Sequence, residues 1–347
     1  MPSPFKHILV SRTDKIGDLI LSLPVFQSLR ASFPEARITA LVSSYAREVV
    51  ETHPDVDGVE LVSRADTLPT LVWRFRRLEC DAFLALYPRP WIGLAARIAR
   101  IPTRVGTGYR WWSPFYNKKI YVHRSRCERH ESDYNLDLVR ALGGTKLRPI
   151  PQFAVEAADR EAARALLKSK GQASGDRIVA VHPGSKGSAL NWSPERYAEA
   201  VGKIARWDGV RILVTGGPGE EKVVQRLLAA LPARLKPPMT LVDEVGLRPL
   251  AAVLKACHCL LSGSTGVMHL AAAVGTPTVS LFGGGPTTSP VRWGPVGNRS
   301  LVLKPDALRC PECREGNCHR HDPMDWVSVD RVVQGVKVML DARGPRR

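Results

Sequence analysis

Short runs of apolar residues alternate with helix-like segments along this chain, and this alternation constrains the fold more than any other feature. In the first half, mostly apolar stretches of four or five residues stand between segments in which apolar residues recur every three or four positions. The predicted strands are residues 7–11, 38–42, 59–62 and 82–86, and the predicted helices are residues 18–33 and 45–52. Apolar strands separated by helices are typical of a parallel sheet covered by helices on both faces.

The same alternation begins again in the second half. Its predicted strands are 178–182, 210–214, 240–242, 259–262 and 278–282, and its predicted helices are 194–206, 220–231, 247–257 and 267–274. The length of 347 residues also exceeds the size at which a single core usually stops growing. We therefore predict two Rossmann-like α/β domains whose parallel sheets face a central cleft, where ligands usually bind. The predicted divisions are a first domain at 1–155, a linker at 156–177, a second domain at 178–325, and a C-terminal helix with a basic tail at 326–347.

The composition excludes several classes of protein. With 44% hydrophobic and 24% charged residues, the chain is typical of a globular protein rather than a disordered one. The first apolar run is too short for an export signal, and no stretch approaches the roughly 18 apolar residues of a membrane-spanning helix. Seven cysteines are an odd number for a disulfide framework, so we expect reduced thiols. The formal charge of +17 indicates an anionic partner without identifying it.

Polar residues fill the first predicted strand-to-helix turn, residues 11–18, at the edge of the sheet where α/β proteins bind ligands. Asp18 follows Gly17 near the start of the predicted helix. A carboxylate there can cap the helix by accepting a backbone N–H. It can instead act as a general base that takes a proton from an acceptor hydroxyl. The spacing alone leaves both roles open.

Two turns of the second half, residues 182–187 and 215–221, carry groups that suit a nucleotide. The first supplies backbone N–H groups, a hydroxyl and an ammonium for phosphate oxygens. The second is rich in glycine and supplies carboxylates for the hydroxyls of a ribose. The side chains concerned are Ser185, Lys186, Glu220 and Glu221. Neither turn is a P-loop or a dinucleotide fingerprint, and ordinary tight turns explain both patterns as well.

A third turn, residues 262–266, joins an apolar strand to a helix and is followed one helical turn later by His269. A helix that begins at Ser-Thr-Gly presents free N–H groups and the positive end of its dipole, which suit a diphosphate. The residues concerned are Ser264, Thr265, Gly266 and His269. The alternative is structural: Ser264 or Thr265 caps the helix, and His269 is a core histidine whose hydrogen bonds are satisfied.

Taken in order, these segments resemble the ADP-heptose:lipopolysaccharide heptosyltransferases, glycosyltransferase family 9. The resemblance rests on the sequences IGDLILSLP at 16–24, HPGS at 182–185 leading to WSPE at 192–195, and STGVMHLAA at 264–272. Residues 104–110 and 129–136 are also similar to this family. The three signatures in this order are far more specific than any one of them.

The resemblance implies a GT-B fold and an inverting, metal-independent transfer of heptose from ADP-heptose, or a related nucleotide sugar, to the lipopolysaccharide inner core. It implies that Asp18 is the general base and that no cofactor is needed beyond the ADP-sugar as co-substrate. The implied donor-binding residues are Ser185, Lys186, Glu220, Glu221, Ser264, Thr265, Gly266 and His269, and the implied acceptor-binding residues are Arg12, Lys15, Arg110 and Lys118. Ser264 stands where well-known members have aspartate, and Leu190 and Asn191 replace the lysine that precedes the tryptophan.

Three cysteines and a histidine lie close together near the end of the chain, at Cys310, Cys313, Cys318 and His319. These ligand types and spacings suit a structural zinc site. The resemblance instead implies a Cys-rich loop without a catalytic metal. We therefore predict no metal.

Aromatic and basic residues are interleaved at 73–77 and 109–126. Nucleic acid would use such residues for phosphates and for stacking, but no recognition motif accompanies them. A solvated basic face is the structural alternative. The resemblance implies contact with the anionic lipopolysaccharide acceptor and with the inner face of the inner membrane. We therefore expect a monomeric, cytoplasmic, peripheral membrane enzyme that does not bind nucleic acid.

Two other functions stay open from the sequence. A nucleotide-sugar 2-epimerase pairs the same kind of domains and would release free epimer without any acceptor. A basic nucleic-acid-binding protein would show salt-dependent affinity for DNA or RNA and no turnover of nucleotide sugars.

Overall fold

The chain divides into two compact units, Met1–Gln152 and Phe153–Arg347. The computed structural model describes residues 4–145, 147, 149–187, 189–283, 288–297, 299–305 and 323–341. Within these ranges the longest helices have 13 residues, and none has the length and apolar character that crossing a bilayer requires.

The first unit contains a parallel sheet that has six strands in the part of the chain that the structure describes. The strands are β1 (His7–Arg12), β2 (Arg37–Ser43), β3 (Gly58–Val62), β4 (Ala82–Ala85), β5 (Thr103–Thr107) and β6 (Lys118–Ile120). Their spatial order is β3-β2-β1-β4-β5-β6. This is the order of a Rossmann sheet, in which the direction of strand addition reverses between β1 and β4. Ligands of such sheets bind at this switch point, beyond the carboxyl ends of the strands.

Helices alternate with the strands of the first unit, but both predicted helices differ in extent, and three further helices were not predicted from the sequence. The helices are α1 (Ile16–Ile20), α2 (Leu23–Ser32), α3 (Leu68–Leu78), α4 (Pro90–Ile98) and α5 (Glu131–Leu142), together with 3₁₀ helices at Ser44–Val49, Ser113–Phe115 and Arg124–Arg126. The helix predicted at 18–33 is two helices, because Pro24 would disrupt a continuous helix but fits the first turn of α2. The helix predicted at 45–52 is the short 3₁₀ helix Ser44–Val49.

The second unit repeats the Rossmann order. Its strands are β7 (Arg177–His182), β8 (Val210–Gly216), β9 (Met239–Val242), β10 (Cys259–Gly263), β11 (Thr278–Leu281) and β12 (Ser300–Leu303). Their spatial order, over the described residues, is β12-β11-β10-β7-β8-β9, and the switch point therefore lies between β7 and β10.

The second unit also contains a helix within the predicted linker. Its helices are α6 (Ala157–Ser169), α7 (Pro194–Ile204), α8 (Glu221–Ala229), α9 (Leu247–Ala256), α10 (Gly266–Ala273), α11 (Pro290–Trp293) and α12 (Val329–Asp341), with a 3₁₀ helix at Pro323–Trp326. The residues predicted as a linker, 156–177, include α6, which packs against α9 and buries Ala163 and Leu167. Asp159 accepts the Glu156 N–H at 3.0 Å, which stabilises the start of α6.

Candidate active site

Arg12 ends β1 at the switch point of the first sheet, and its side chain is 2% exposed. Its Nε lies 2.7 Å from Asp14 Oδ1, and its Nη2 lies 2.8 Å from Asp18 Oδ1. Its Nη1 lies 3.1 Å from Glu131 Oε1. We call Arg12, Asp14, Asp18 and Glu131 the Arg12 cluster. One buried guanidinium therefore orients three carboxylates, two of which keep 15% of their side chains exposed.

Helix α5 supplies the far side of the Arg12 cluster. Glu131 is its first residue and is also 2.5 Å from Arg124 Nη1. Asn135, one turn further, accepts a hydrogen bond from Arg12 at 3.2 Å and donates one to Ser22 Oγ at 3.1 Å. Glu131 and Asn135 thus hold Nη1 of the guanidinium, while the turn that carries Asp18 holds the other two nitrogens. The Arg12 geometry thus depends on residues more than a hundred positions away.

The electrostatics of the cluster favour a carboxyl group that binds protons near neutral pH. Burial raises the pKa of Asp14 to about 6, because desolvation outweighs the attraction of Arg12, and the charge of Asp18 adds to the rise. Burial likewise raises the pKa of Asp18. Two carboxylates that share a guanidinium titrate as a pair. A carboxylate whose pKa is raised toward neutral pH can accept a proton efficiently, as a general base must.

The helix-capping alternative for Asp18 is not observed, since Lys15 occupies the N-cap position of α1. Lys15 is exposed in the same turn as Asp18. The other implied acceptor cations are placed differently: Arg12 is buried, and Arg110 is exposed beyond β5 with its guanidinium carbon 5.8 Å from the Trp112 ring. Lys118 lies on β6, three strands or about 14 Å across the sheet from β1. The structure therefore brings Lys15, but not Lys118, close to Asp18.

Sequence reasoning missed several residues at this switch point. Tyr45 donates its hydroxyl hydrogen to the backbone carbonyl of Asp14. Arg89 Nη2 lies 3.3 Å from the carbonyl oxygen of Thr13. Arg89 could have been found from the sequence, because it follows β4 at the same edge of the sheet. Tyr45 follows β2, the neighbour of β1, and offers a similar signal.

In the second unit, three loops that follow neighbouring strands lie at one edge of the sheet. The loop after β7 contains Ser185 and Lys186, the loop after β8 contains Glu220, and the turn after β10 contains Ser264, Thr265 and Gly266. Glu221, next to Glu220, begins α8. Because β8, β7 and β10 are adjacent and parallel, their carboxyl ends share this edge. The residues that the resemblance assigns to the donor are thereby gathered around the β7–β10 switch point.

The structure distinguishes two carboxylates that the sequence left equivalent. Glu220 is buried, and its Oε2 accepts the Gly217 N–H at 2.7 Å and lies 3.4 Å from His182 Nε2. His182 Nδ1 lies 3.0 Å from Thr215 Oγ1, and burial lowers the His182 pKa, so the imidazole is neutral at pH 7. Glu221 is exposed, and backbone hydrogen bonds of its own turn lower its pKa. Glu221 is therefore the carboxylate presented to solvent.

Thr265 is the N-cap of α10, and its Oγ1 accepts the Met268 N–H at 3.3 Å, so the capping alternative holds for this hydroxyl. Ser264 and Gly266 are half-buried at the same helix start. His269 is buried one turn inside the helix. The N–H groups at the start of α10 lie at the switch point, where a diphosphate would meet the positive end of the helix dipole.

The loop after β7 is shaped by local contacts. The Ser185 hydroxyl donates to the Ala189 carbonyl oxygen at 3.1 Å. Lys186 has a left-handed backbone with φ of 46°, and its ammonium lies so close to Gly217 that a Cβ there would be 3.5 Å from Nζ. The loop therefore holds a cation beside the Gly-rich turn that follows β8.

Gly184 has no room for a side chain, because a Cβ would lie 2.2 Å from the Glu220 carboxyl carbon. We expect Gly184→Ala to displace this buried carboxylate from the Gly217 N–H and to lower the free energy of unfolding by about 1–3 kcal/mol. Weaker ADP binding should accompany the displacement. Chemical denaturation and calorimetric titration with ADP measure both effects. Gly202→Ala, where a Cβ meets only ordinary contacts at 3.4 Å in α7, is the matched control, and an equal loss there would contradict the explanation.

No group of His, Cys, Asp and Glu suited to a metal ion occurs among the residues that the structure describes. The predicted alternative metal ligands, Cys310, Cys313, Cys318 and His319, lie outside the described residues.

Solved structures share this fold from end to end. A glycosyltransferase family 9 structure from Veillonella parvula has a TM-score of 0.85 at 23% identity, over 99% of both chains. The Escherichia coli ADP-heptose lipopolysaccharide heptosyltransferase II has a TM-score of 0.78 at 19% identity, over 96% of this chain and 98% of its own. These likenesses confirm the predicted fold, which is the GT-B arrangement of two Rossmann-like α/β domains.

Comparison with known sequences identifies the protein family. A Haemophilus influenzae protein named "Putative glycosyltransferase" is 29% identical over 96% of this chain and 97% of its own length. Residues 93–322 match the model of glycosyltransferase family 9 (heptosyltransferase). The chain belongs to glycosyltransferase family 9, the heptosyltransferase family, and the predicted family and enzyme class are confirmed.

Proposed function

We propose that this enzyme transfers heptose from ADP-heptose to an acceptor of the lipopolysaccharide inner core, either lipid A–Kdo or a heptosyl acceptor. The observation that carries the proposal is the Arg12 cluster, which holds the Asp18 carboxylate at a Rossmann switch point with a raised pKa. Membership of family 9 supports the same reaction. So does the name of the Escherichia coli structure, which gives ADP-heptose and lipopolysaccharide for that protein.

On the acceptor side, Asp18 takes the proton of the attacking hydroxyl while Arg12 holds the carboxylate in place. The hydroxyl oxygen forms a bond to the anomeric carbon as the bond from that carbon to the ADP oxygen breaks. The electron pair of the broken bond leaves with ADP, and the proton stays on Asp18. A single displacement of this kind inverts the anomeric centre.

On the donor side, groups of the second unit stabilise the charge that develops on ADP. The N–H groups at the start of α10, together with Ser185 and Lys186, bind the diphosphate in place of a metal ion. His269 lies one turn inside the same helix and contributes to this site. The exposed Glu221 accepts hydrogen bonds from the ribose hydroxyls, and no cofactor takes part.

The acceptor of this reaction is attached to a lipid, so the enzyme would act at a membrane surface. We propose that it is a cytoplasmic monomer that associates peripherally with the anionic inner face of the inner membrane. Lys15 and Arg110, both exposed in the first unit, then bind anionic groups of the acceptor. The basic segment that contains Lys118 meets the surrounding lipid.

A panel of ADP- and UDP-sugars with truncated lipopolysaccharide tests the proposal through nucleotide release and acceptor mass. We expect ADP release from ADP-heptose only when acceptor is present, with the mass of one heptose added to the acceptor. Activity should persist in a metal chelator. Free epimer formed without acceptor would instead identify a 2-epimerase, and transfer from a UDP-sugar alone would exclude ADP-heptose as the donor.

A further inference from the structure

The segment that runs from α3 to the 3₁₀ helix Arg124–Arg126 carries a large excess of positive charge. Residues 68–126 contain twelve Lys or Arg but two Asp or Glu, and thus ten of the seventeen net positive charges of the chain. The same residues include four of the eight tryptophans. A net positive charge of this size attracts the segment to an anionic surface.

Helices α3 and α4 cover one face of the first sheet. Leu71 and Phe75 of α3, and Ile92 and Ala95 of α4, are buried in one hydrophobic cluster with Phe83 of β4. The two helices also pack against each other. Because both bury one side in the same cluster, their opposite sides point away from the sheet in the same general direction.

The outward sides of these helices carry large apolar groups beside cations. Trp73 of α3 is 56% exposed, and Trp91 of α4 is 66% exposed. Ile98 lies two turns beyond Trp91 on the same side of α4 and is also exposed. The guanidinium carbon of Arg77 lies 4.6 Å from the centre of the Trp73 ring, and Arg76 is exposed next to it.

The turn at Ser113–Phe115 packs beside α4 and follows a further exposed tryptophan. It contacts α4, and Arg97 Nη1 of that helix lies 3.4 Å from the Pro114 carbonyl oxygen. Just before the turn, Trp111 is 77% exposed and packs edge-on against Trp112 at 5.3 Å. We call Trp73, Arg76, Arg77, Trp91, Ile98 and Trp111 the outer α3–α4 surface.

We infer that the outer α3–α4 surface docks this enzyme on an anionic lipid bilayer, with its tryptophans in the headgroup region and its arginines against lipid phosphates. Tryptophan is enriched at membrane interfaces because its ring is apolar and its N–H can reach water. Each cation close to an anionic leaflet strengthens binding about fivefold. The inference rests on the membrane association in the proposed function and assigns that association to named residues.

Nucleic acid is the other polyanion that exposed aromatic and basic residues bind. The aliphatic side chain of Ile98, exposed beside Trp91 on α4, suits the hydrocarbon boundary of a bilayer and has no use in base stacking. The observations therefore favour lipid, and binding to nucleic acid becomes an outcome of the test.

Co-flotation of the full-length protein with vesicles of phosphatidylglycerol and phosphatidylethanolamine tests the inference. We expect binding to these vesicles, loss of binding in about 1 M salt, and no binding to phosphatidylcholine vesicles. The double variant Arg76→Glu/Arg77→Glu should weaken binding at least about tenfold. Trp91→Ser/Ile98→Ser should weaken it too, and should reduce the blue shift of tryptophan fluorescence that vesicles cause.

The matched control is Arg164→Glu/Lys168→Glu, which makes the same change of charge at two exposed positions of α6 in the second unit. This control should bind vesicles within about twofold of the unmodified protein. Equal loss in the control, absence of binding by the unmodified protein, or tight binding to single-stranded RNA instead of vesicles would overturn the inference. The flotation assay contains neither donor nor acceptor, so its failure is distinct from failure of the transfer reaction on a truncated acceptor.

Discussion

Asp18→Asn is expected to lower kcat for sugar transfer by about 10²- to 10⁴-fold, the range that a positioned general base contributes. Asparagine has nearly the same shape and can still accept a hydrogen bond from Arg12, but it cannot take the proton of the acceptor hydroxyl. ADP affinity should stay unchanged, because the proposed ADP-binding residues belong to the second unit. Initial rates on truncated lipopolysaccharide and calorimetric titration with ADP measure the two effects.

Asp14→Asn is the matched control, since Asp14 shares the guanidinium of Arg12 and is as exposed as Asp18. Removing this neighbouring negative charge should lower the pKa of Asp18 and move the acidic limb of kcat/KM to lower pH. The variant should keep far more activity than Asp18→Asn. If the large loss instead follows Asp14→Asn while Asp18→Asn stays active, Asp14 is the base and the assignment of Asp18 is wrong.

Much of the fold could be predicted from the sequence, because buried parallel strands leave continuous apolar runs such as 82–86 and 178–181. The loops around Ser185 and Thr265 could be predicted with them, since polar residues directly after such strands must lie at the same edge of the sheet. Helix α6 was harder to predict. It buries few side chains against α9, so its pattern is weak, and its start depends on a local hydrogen bond between Asp159 and Glu156.

The contacts inside each site could not be predicted, because they depend on long-range packing. Arg12 meets Glu131 and Asn135 across 119 and 123 positions, and nothing near Arg12 in the sequence indicates these partners. The resemblance therefore implied that Arg12 binds the acceptor, whereas in the structure Arg12 is buried and orients carboxylates. Glu220 and Glu221 are neighbours in the sequence, and nothing in the sequence distinguishes them. In the structure the direction of the chain at the start of α8 buries the Glu220 carboxylate and leaves the Glu221 carboxylate exposed.

Arg12→Met is expected to destabilise the first unit by about 3–5 kcal/mol near neutral pH, the usual effect of removing one partner from a buried ion pair. Methionine keeps much of the packing but leaves Asp14 and Asp18 without their shared cation. The pKa of Asp14 in the folded protein is about 6, above that of an unfolded aspartate. The protonated Asp14 side chain therefore stabilises the fold below about pH 4, and this stabilisation is lost as the pH rises through 6. Without Arg12 this pKa rises further. The deficit should therefore be smallest near pH 4 and largest above pH 6.

Chemical denaturation from about pH 4 to 8 measures this deficit, and kcat/KM over the same range should show an acidic limb displaced to higher pH. The displaced limb separates a role in orienting Asp18 from a purely structural one, since loss of stability alone would lower the rate without moving the limb. Arg226→Met, which breaks an exposed pair with Glu195 in the second unit, should change neither stability nor the limb appreciably. An unshifted limb in a folded Arg12→Met enzyme would mean that Arg12 does not govern the proton affinity of Asp18.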